Sequence, residues 1–199
     1  MRNTFLGLGL AALLASASPA SAATIAFDIC NEPSLCGQLS MTTTLNAGAI
    51  DVHVSAPAGY GIFGDSGGNR ALGFNVVGSE AGLTITGLTS GFTFGGTDQQ
   101  FNGYGFFEYF IDGPHTGSSS YLPLDFTVGR TGGFGSDLDL FETNSAGYIV
   151  AAHLRDERTG ITGFVTNGGK PEGNTPVPEP ATMILLGTGL LAAFRARKA

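Results

Sequence analysis

Apolar and polar residues alternate with a period of two along much of the chain between Thr24 and Thr166. In Ile50-Asp51-Val52-His53-Val54 the three aliphatic residues share one face and Asp51 and His53 the other. The same alternation runs through Leu83-Thr84-Ile85-Thr86, Phe106–Ile111 (FFEYFI) and Leu122–Val128 (LPLDFTV). Successive side chains of a strand point to opposite faces, so this pattern reads as half-buried β-structure. Apolar runs at Ala71–Val77, Phe92–Phe94, Leu138–Phe141, Tyr148–Leu154 and Ile161–Val165 supply further candidate strands. Turn chemistry separates them at Ser66-Gly67-Gly68-Asn69, Asp112-Gly113-Pro114 and Asn167-Gly168-Gly169. Roughly ten short strands at a spacing of about 8–12 residues predict an all-β domain of β-sandwich type, a jelly roll among its forms. No helical periodicity longer than one turn and no fixed repeat interrupts this pattern.

Both ends depart from it. Met1–Ala22 has a basic start at Arg2, a short apolar run Phe5–Leu14 and the small-residue exit Ala20-Ser21-Ala22. That order predicts a secretory signal peptide over residues 1–22, cut by signal peptidase before Ala23 after export through the Sec machinery. The alternative, a membrane anchor, would need a longer apolar run. The ectodomain is then 23–169, and Lys170–Val177 (KPEGNTPV) is a polar, proline-rich linker. The final segment, 178–199, has three parts: Pro178-Glu179-Pro180, the apolar run Ala181–Phe194, and a basic end with Arg195, Arg197 and Lys198. The prolines keep the first part extended. The apolar run predicts a C-terminal transmembrane helix, and the basic cluster predicts a cytoplasmic stop. Fourteen residues of helix cover only about 21 Å, against a hydrocarbon core of about 30 Å, so flanking residues or local thinning must help.

Composition sharpens this reading. Glycine takes 32 of 199 positions, more than twice the usual ~7%, which fits a folded but turn-rich domain. Between Ala23 and Asn174 there are five basic residues, Arg70, Arg130, Arg155, Arg158 and Lys170, against fifteen acidic ones. A domain so negative is repelled by phosphate backbones, which argues against nucleic acid as a partner. Cys30 and Cys36 are the only cysteines. In an oxidising compartment they predict a disulfide around Pro33, with two free buried thiols as the alternative.

The terminal order, with Val-Pro-Glu-Pro-Ala-Thr and Leu-Leu-Gly-x-Gly-Leu, resembles the PEP-CTERM sorting signal of Gram-negative bacteria. The resemblance covers about the last 23 residues. It implies recognition at Pro178, Glu179 and Pro180 by an exosortase, a membrane cysteine protease that removes the tail. It also implies an inner-membrane precursor and a link to exopolysaccharide and biofilm matrices. Phe101-Asn102-Gly103-Tyr104-Gly105-Phe106-Phe107, Pro123–Val128, Ala151-Ala152-His153 and Thr162-Gly163-Phe164-Val165 are similar to elements of ectodomains that often precede such a tail.

Several motifs invite a catalytic reading. Gly64-Asp65-Ser66-Gly67-Gly68 matches the pentapeptide around a trypsin-like nucleophile. A serine needs a histidine base oriented by a carboxylate. In that family the order is His, Asp, Ser, whereas here His153 follows Ser66, His53 lies only 13 residues before it, and Asn69 replaces the usual proline. The segment reads better as a glycine-rich turn. Gly59-Tyr60-Gly61-Ile62-Phe63-Gly64 fits G-x-G-x-x-G, but dinucleotide binding needs a following helix, and a turn follows instead. His53, His115 and His153 have no metal-ligand spacing. Asp137 and Asp139, on one expected strand face with Glu142 nearby, are candidate hard-oxygen ligands for Ca²⁺, or else a solvated acidic face. Tyr104, Phe106, Phe107, Tyr109 and Phe110 either fill the core or, if Phe107 and Tyr109 face outward, stack on sugar rings. The expectation is a non-enzymatic surface or matrix protein without cofactor. A carbohydrate-binding module is the alternative, and an extracellular hydrolase is the third reading.

Overall fold

The computed structural model describes residues 21–62, 64, 70–101, 103–113 and 122–168, all within one compact unit, Ser21–Pro176. The expected signal peptide up to Ala20, the linker and the whole sorting tail lie outside the described residues, as do Ser66 and His115. Among the described residues no helix is long and apolar enough to cross a membrane.

Two sheets form the domain. The first holds β1 (Ala22–Ala26), β3 (Ser40–Asn46), β4 (Ala49–Ser55), β10 (Leu124–Gly129) and β7 (Thr84–Thr86), in the spatial order β1-β3-β4-β10-β7. The second holds β2 (Ile29–Cys30), β12 (Thr162–Gly168), β11 (Tyr148–Asp156), β6 (Leu72–Phe74), β9 (Gly105–Asp112) and β8 (Thr93–Phe101), in that order, with β5 (Tyr60–Ile62) also on β11. Every named strand pair is antiparallel. Sheets of five and seven strands differ from the eight-stranded plan of a jelly roll.

The expected alternation is visible in the burial. Ile50, Val52 and Val54 of β4 are buried, as are Leu124, Phe126 and Val128 of β10. They meet Leu72, Phe74, Ile111, Val150, Ala152 and Leu154 of the second sheet in the main core. Phe74 joins the layers, its ring 5.7 Å from both Tyr109 and Phe126. A second, smaller cluster gathers Phe101, Tyr104, Phe107 and Phe110 around Ala151. Gly73 makes room for it: a Cβ there would lie 3.0 Å from the Phe110 ring and 3.2 Å from those of Phe101 and Phe107.

Two expectations are corrected. Leu138–Phe141 is not a strand. Asp137–Leu140 forms a 3₁₀ turn capped by Ser136, whose side chain accepts from the Leu138 N–H while Asp139 reaches back to the Ser136 N–H. This reciprocal cap outweighs the apolar spacing of Leu138 and Leu140. The short run at Phe92–Phe94 opens a nine-residue strand, β8. Its polar remainder, GTDQQ, hides it because an edge strand is exposed on both faces.

Candidate functional site

The sequence's candidate oxygen ligands do not converge. Within the 3₁₀ turn Asp139 faces Arg130, 3.4 Å away, and accepts from the backbone N–H groups of Gly135 and Ser136. Asp137 is buried and accepts from the Ser136 hydroxyl. Glu142 lies elsewhere, on the rim of a different depression. The shared strand face expected for Asp137 and Asp139 is absent because the local backbone is not extended. Among the described residues no group of three His, Cys, Asp or Glu side chains is placed to hold a metal ion.

The two described histidines, His53 and His153, serve separate contacts. His53, on the outer face of β4, pairs with Asp125 of β10 at 2.7 Å. His153 is buried and stacks on Phe164 with ring centroids 4.7 Å apart. The first glycine of the Gly64–Gly68 motif has a structural reason: a Cβ on Gly64 would sit 2.6 Å from the Gly113 Cα, so the two backbones touch. In the G-x-G-x-x-G segment, β5 occupies Tyr60–Ile62 itself and pairs with β11. Cys30 and Cys36 form a disulfide, with Cα atoms 5.4 Å apart, an ordinary bridging distance.

The aromatic run of β9 divides in an unexpected way. Strict alternation would put Phe107 beside Tyr109. Instead Tyr109 packs into the main core, while Phe107 joins Phe110 in the second cluster. The facing strand, β8, carries a register shift between Phe94 and Gly96 and a positive φ of +53° at Asp98. Neither Phe107 nor Tyr109 is available to a sugar. Phe106 is, at 59% exposed, and Phe94 follows at 48%.

Phe106 lines a depression of about 210 Å³ with Asp98, Glu108, Glu142, Thr143 and Ser145. Its floor is built by Asn75, itself buried, which donates to the Glu142 carbonyl at 3.1 Å and accepts from the Glu108 N–H at 3.0 Å. The Glu108 carboxylate accepts from the Val76 N–H at 2.9 Å. Asn144 stiffens the rim by donating to the Tyr104 carbonyl and accepting from the N–H groups of Ala146 and Tyr148. Burial pushes the Glu108 carboxyl above its ordinary range, and the charges of Glu80, Glu142 and Asp98 add to that push against the Val76 hydrogen bond. Next along the same hairpin, a cleft of about 390 Å³ opens between β7 and β8, lined by Leu83, Ile85, Phe94 and Tyr109. There the Tyr109 hydroxyl donates to Glu80 at 2.6 Å, and burial with that contact raises its pKa.

The cations of the domain are committed elsewhere. Among the described residues Arg70 pairs with Asp112, Arg130 with Asp139, Arg155 with Glu157 and Arg158 with Asp156. None of these four arginines is paired with the carboxylates that line the depression around Phe106. Glu142 was in view from the sequence. Asp98, Glu108 and the exposure of Phe106 were not, although FFEYF does place a carboxylate between aromatic residues.

The fold defines a two-sheet β-domain with an acidic, aromatic depression on its edge hairpin. The segment that says where this domain is sent is terminal: residues 176–198 match the PEP-CTERM protein-sorting motif. That motif is the mark of an exported protein targeted to exosortase, made as a precursor that transits the membrane. No curated protein and no solved structure matches the chain.

Proposed function

We propose that the chain is a non-enzymatic surface or extracellular-matrix protein, delivered by exosortase processing and associated with exopolysaccharide in a biofilm. The observation that carries this reading is the sorting motif at residues 176–198 behind a β-domain. In this account signal peptidase and the Sec machinery handle the N-terminal segment 1–22. The inner membrane holds the precursor through Ala181–Phe194, with Arg195, Arg197 and Lys198 as the stop, until exosortase acts at Pro178-Glu179-Pro180. The non-enzymatic part is supported by the protease-like motifs: His153 is buried against Phe164, and Gly64, the first residue of the pentapeptide, serves a backbone contact. The test follows the protein through fractionation in strains with and without active exosortase. It is expected in the matrix fraction of the first and in the inner membrane of the second. The same distribution in both would overturn the proposal.

A second reading, a carbohydrate-binding module of the matrix, is favoured by one observation. Phe106 presents an open ring face beside carboxylates and hydroxyls. A ring face open to solvent beside hydroxyls and carboxylates can take the apolar face of a sugar while polar groups meet its hydroxyls. Binding would hold the released domain in the matrix without any chemistry.

A further inference from the structure

Phe106 belongs to neither apolar cluster and is 59% exposed, the most of any large apolar side chain described. Its ring face carries the negative side of the aromatic quadrupole, which attracts a cation, above all an ammonium group. Asp98, Glu108 and Glu142 border the same depression. The four described arginines are paired elsewhere. Ring and carboxylates thus select the same charge. A bare divalent ion is a poor answer, because it needs converging oxygen ligands and no three acidic or histidine groups among the described residues converge. A neutral sugar would use the ring and leave the carboxylates repelling one another. A polyuronate would be repelled outright.

We propose that the depression bounded by Phe106, Asp98, Glu108 and Glu142 is a subsite for a cationic aminosugar, a hexosamine unit with its amine free, within an extracellular polysaccharide. The inference rests on the matrix reading and names the class of glycan. The apolar face of the pyranose ring lies against Phe106, and the protonated amine meets the carboxylates. The exposed Thr143 and Ser145 at the rim offer hydroxyls to the sugar's own. A volume of about 210 Å³ suits one sugar ring rather than a folded partner. The push on Glu108 from its three acidic neighbours is relieved when the ammonium enters.

The test measures affinity of the exported protein for glucosamine oligomers, N-acetylglucosamine oligomers, a polyuronate and oligolysine, near pH 6 and at two salt concentrations. The variants are Phe106→Ala, the double change Asp98→Asn with Glu142→Gln, and Asp28→Asn as an exposed acidic control. Asparagine is well tolerated at the positive φ of position 98. The free-amine oligomers are expected to bind at least about tenfold tighter than the acetylated ones. Phe106→Ala should weaken them about threefold and the double change about tenfold, with Asp28→Asn unchanged. Equal binding of acetylated and free-amine oligomers overturns the aminosugar assignment and leaves the matrix reading on a neutral glycan. Oligolysine binding as tightly, with Phe106→Ala and Asp28→Asn alike, also overturns it, as bulk charge attraction. No affinity for any of the glycans counts against the aminosugar site and the carbohydrate-binding reading together.

Discussion

At Glu108, burial and the charges of Glu80, Glu142 and Asp98 oppose ionisation, while the Val76 N–H favours it. The folded-state pKa is raised, so the group's contribution to stability is complete below its unfolded value and is lost as pH rises through the folded one. Glu108→Gln keeps an acceptor for Val76 and removes the charge. The variant is expected to be more stable than the parent near neutral pH, by about 0.5–1 kcal/mol, and no more stable near pH 4, as urea titrations at the two pH values would show. Asp156 behaves in the opposite sense. Hydrogen bonds from Arg158 hold its carboxyl down at about 2. That contribution is present above the ordinary aspartate range and disappears as pH falls toward 2. The stability gap between parent and Asp156→Asn should therefore be constant from neutral pH down to about 5 and close below about 4. At Gly73 a methyl group would press on three phenylalanine rings. Gly73→Ala should cost about 1–3 kcal/mol in the same measurement. At this scale the sequence was readable for Val52 or Phe126, whose neighbours alternate with them. It was not readable for Phe106 and Phe107, whose burial departs from the alternation of their neighbours.

Strands with a plain in-out alternation, β4 and β10, were legible because one face meets the core and the other water. β3 is hidden in the sequence: its run SMTTTLN puts Thr43 where an aliphatic residue would signal burial. Thr43 is fully buried all the same, since its hydroxyl donates to the Asp137 carbonyl at 2.8 Å and satisfies itself. The acidic 3₁₀ turn resembles a strand in sequence because two leucines two apart look like a pleat, and only its serine cap says otherwise. The disulfide ties β2 to the end of the 3₁₀ turn Pro33–Leu35, whose Leu35 is wholly buried. Losing so short a closed loop costs about 2 kcal/mol. Replacing both Cys30 and Cys36 with alanine should lower the melting temperature, and reductant should lower that of the parent but not of the variant. β1 begins at Ala22 and Ala23 is fully buried. A cut before Ala23 would leave Ala23–Ala26 in register with Thr43–Ser40, so the mature chain keeps its edge strand. Sequencing of the exported protein's N-terminus is expected to begin at Ala23.

As a whole molecule the protein couples an acidic β-domain to an address. The domain's net charge is near −10 between Ala23 and Asn174, a surface that repels anions and attracts cations. The sorting motif was fully legible, because its proline-framed glutamate, apolar run and basic end are written in consecutive residues. The depression was not, because Glu142 is brought beside Asp98 and Glu108 of the β8–β9 hairpin only by the fold, with Asn75 bonded to the backbone of both Glu142 and Glu108. Replacing Pro178-Glu179-Pro180 with alanines should leave membrane insertion intact and block release. The most direct measurement is the C-terminal mass of the protein recovered outside the inner membrane of a host with active exosortase. The account predicts a chain ending at or beside Pro178-Glu179-Pro180; recovery of protein still carrying Ala181–Ala199 would contradict it.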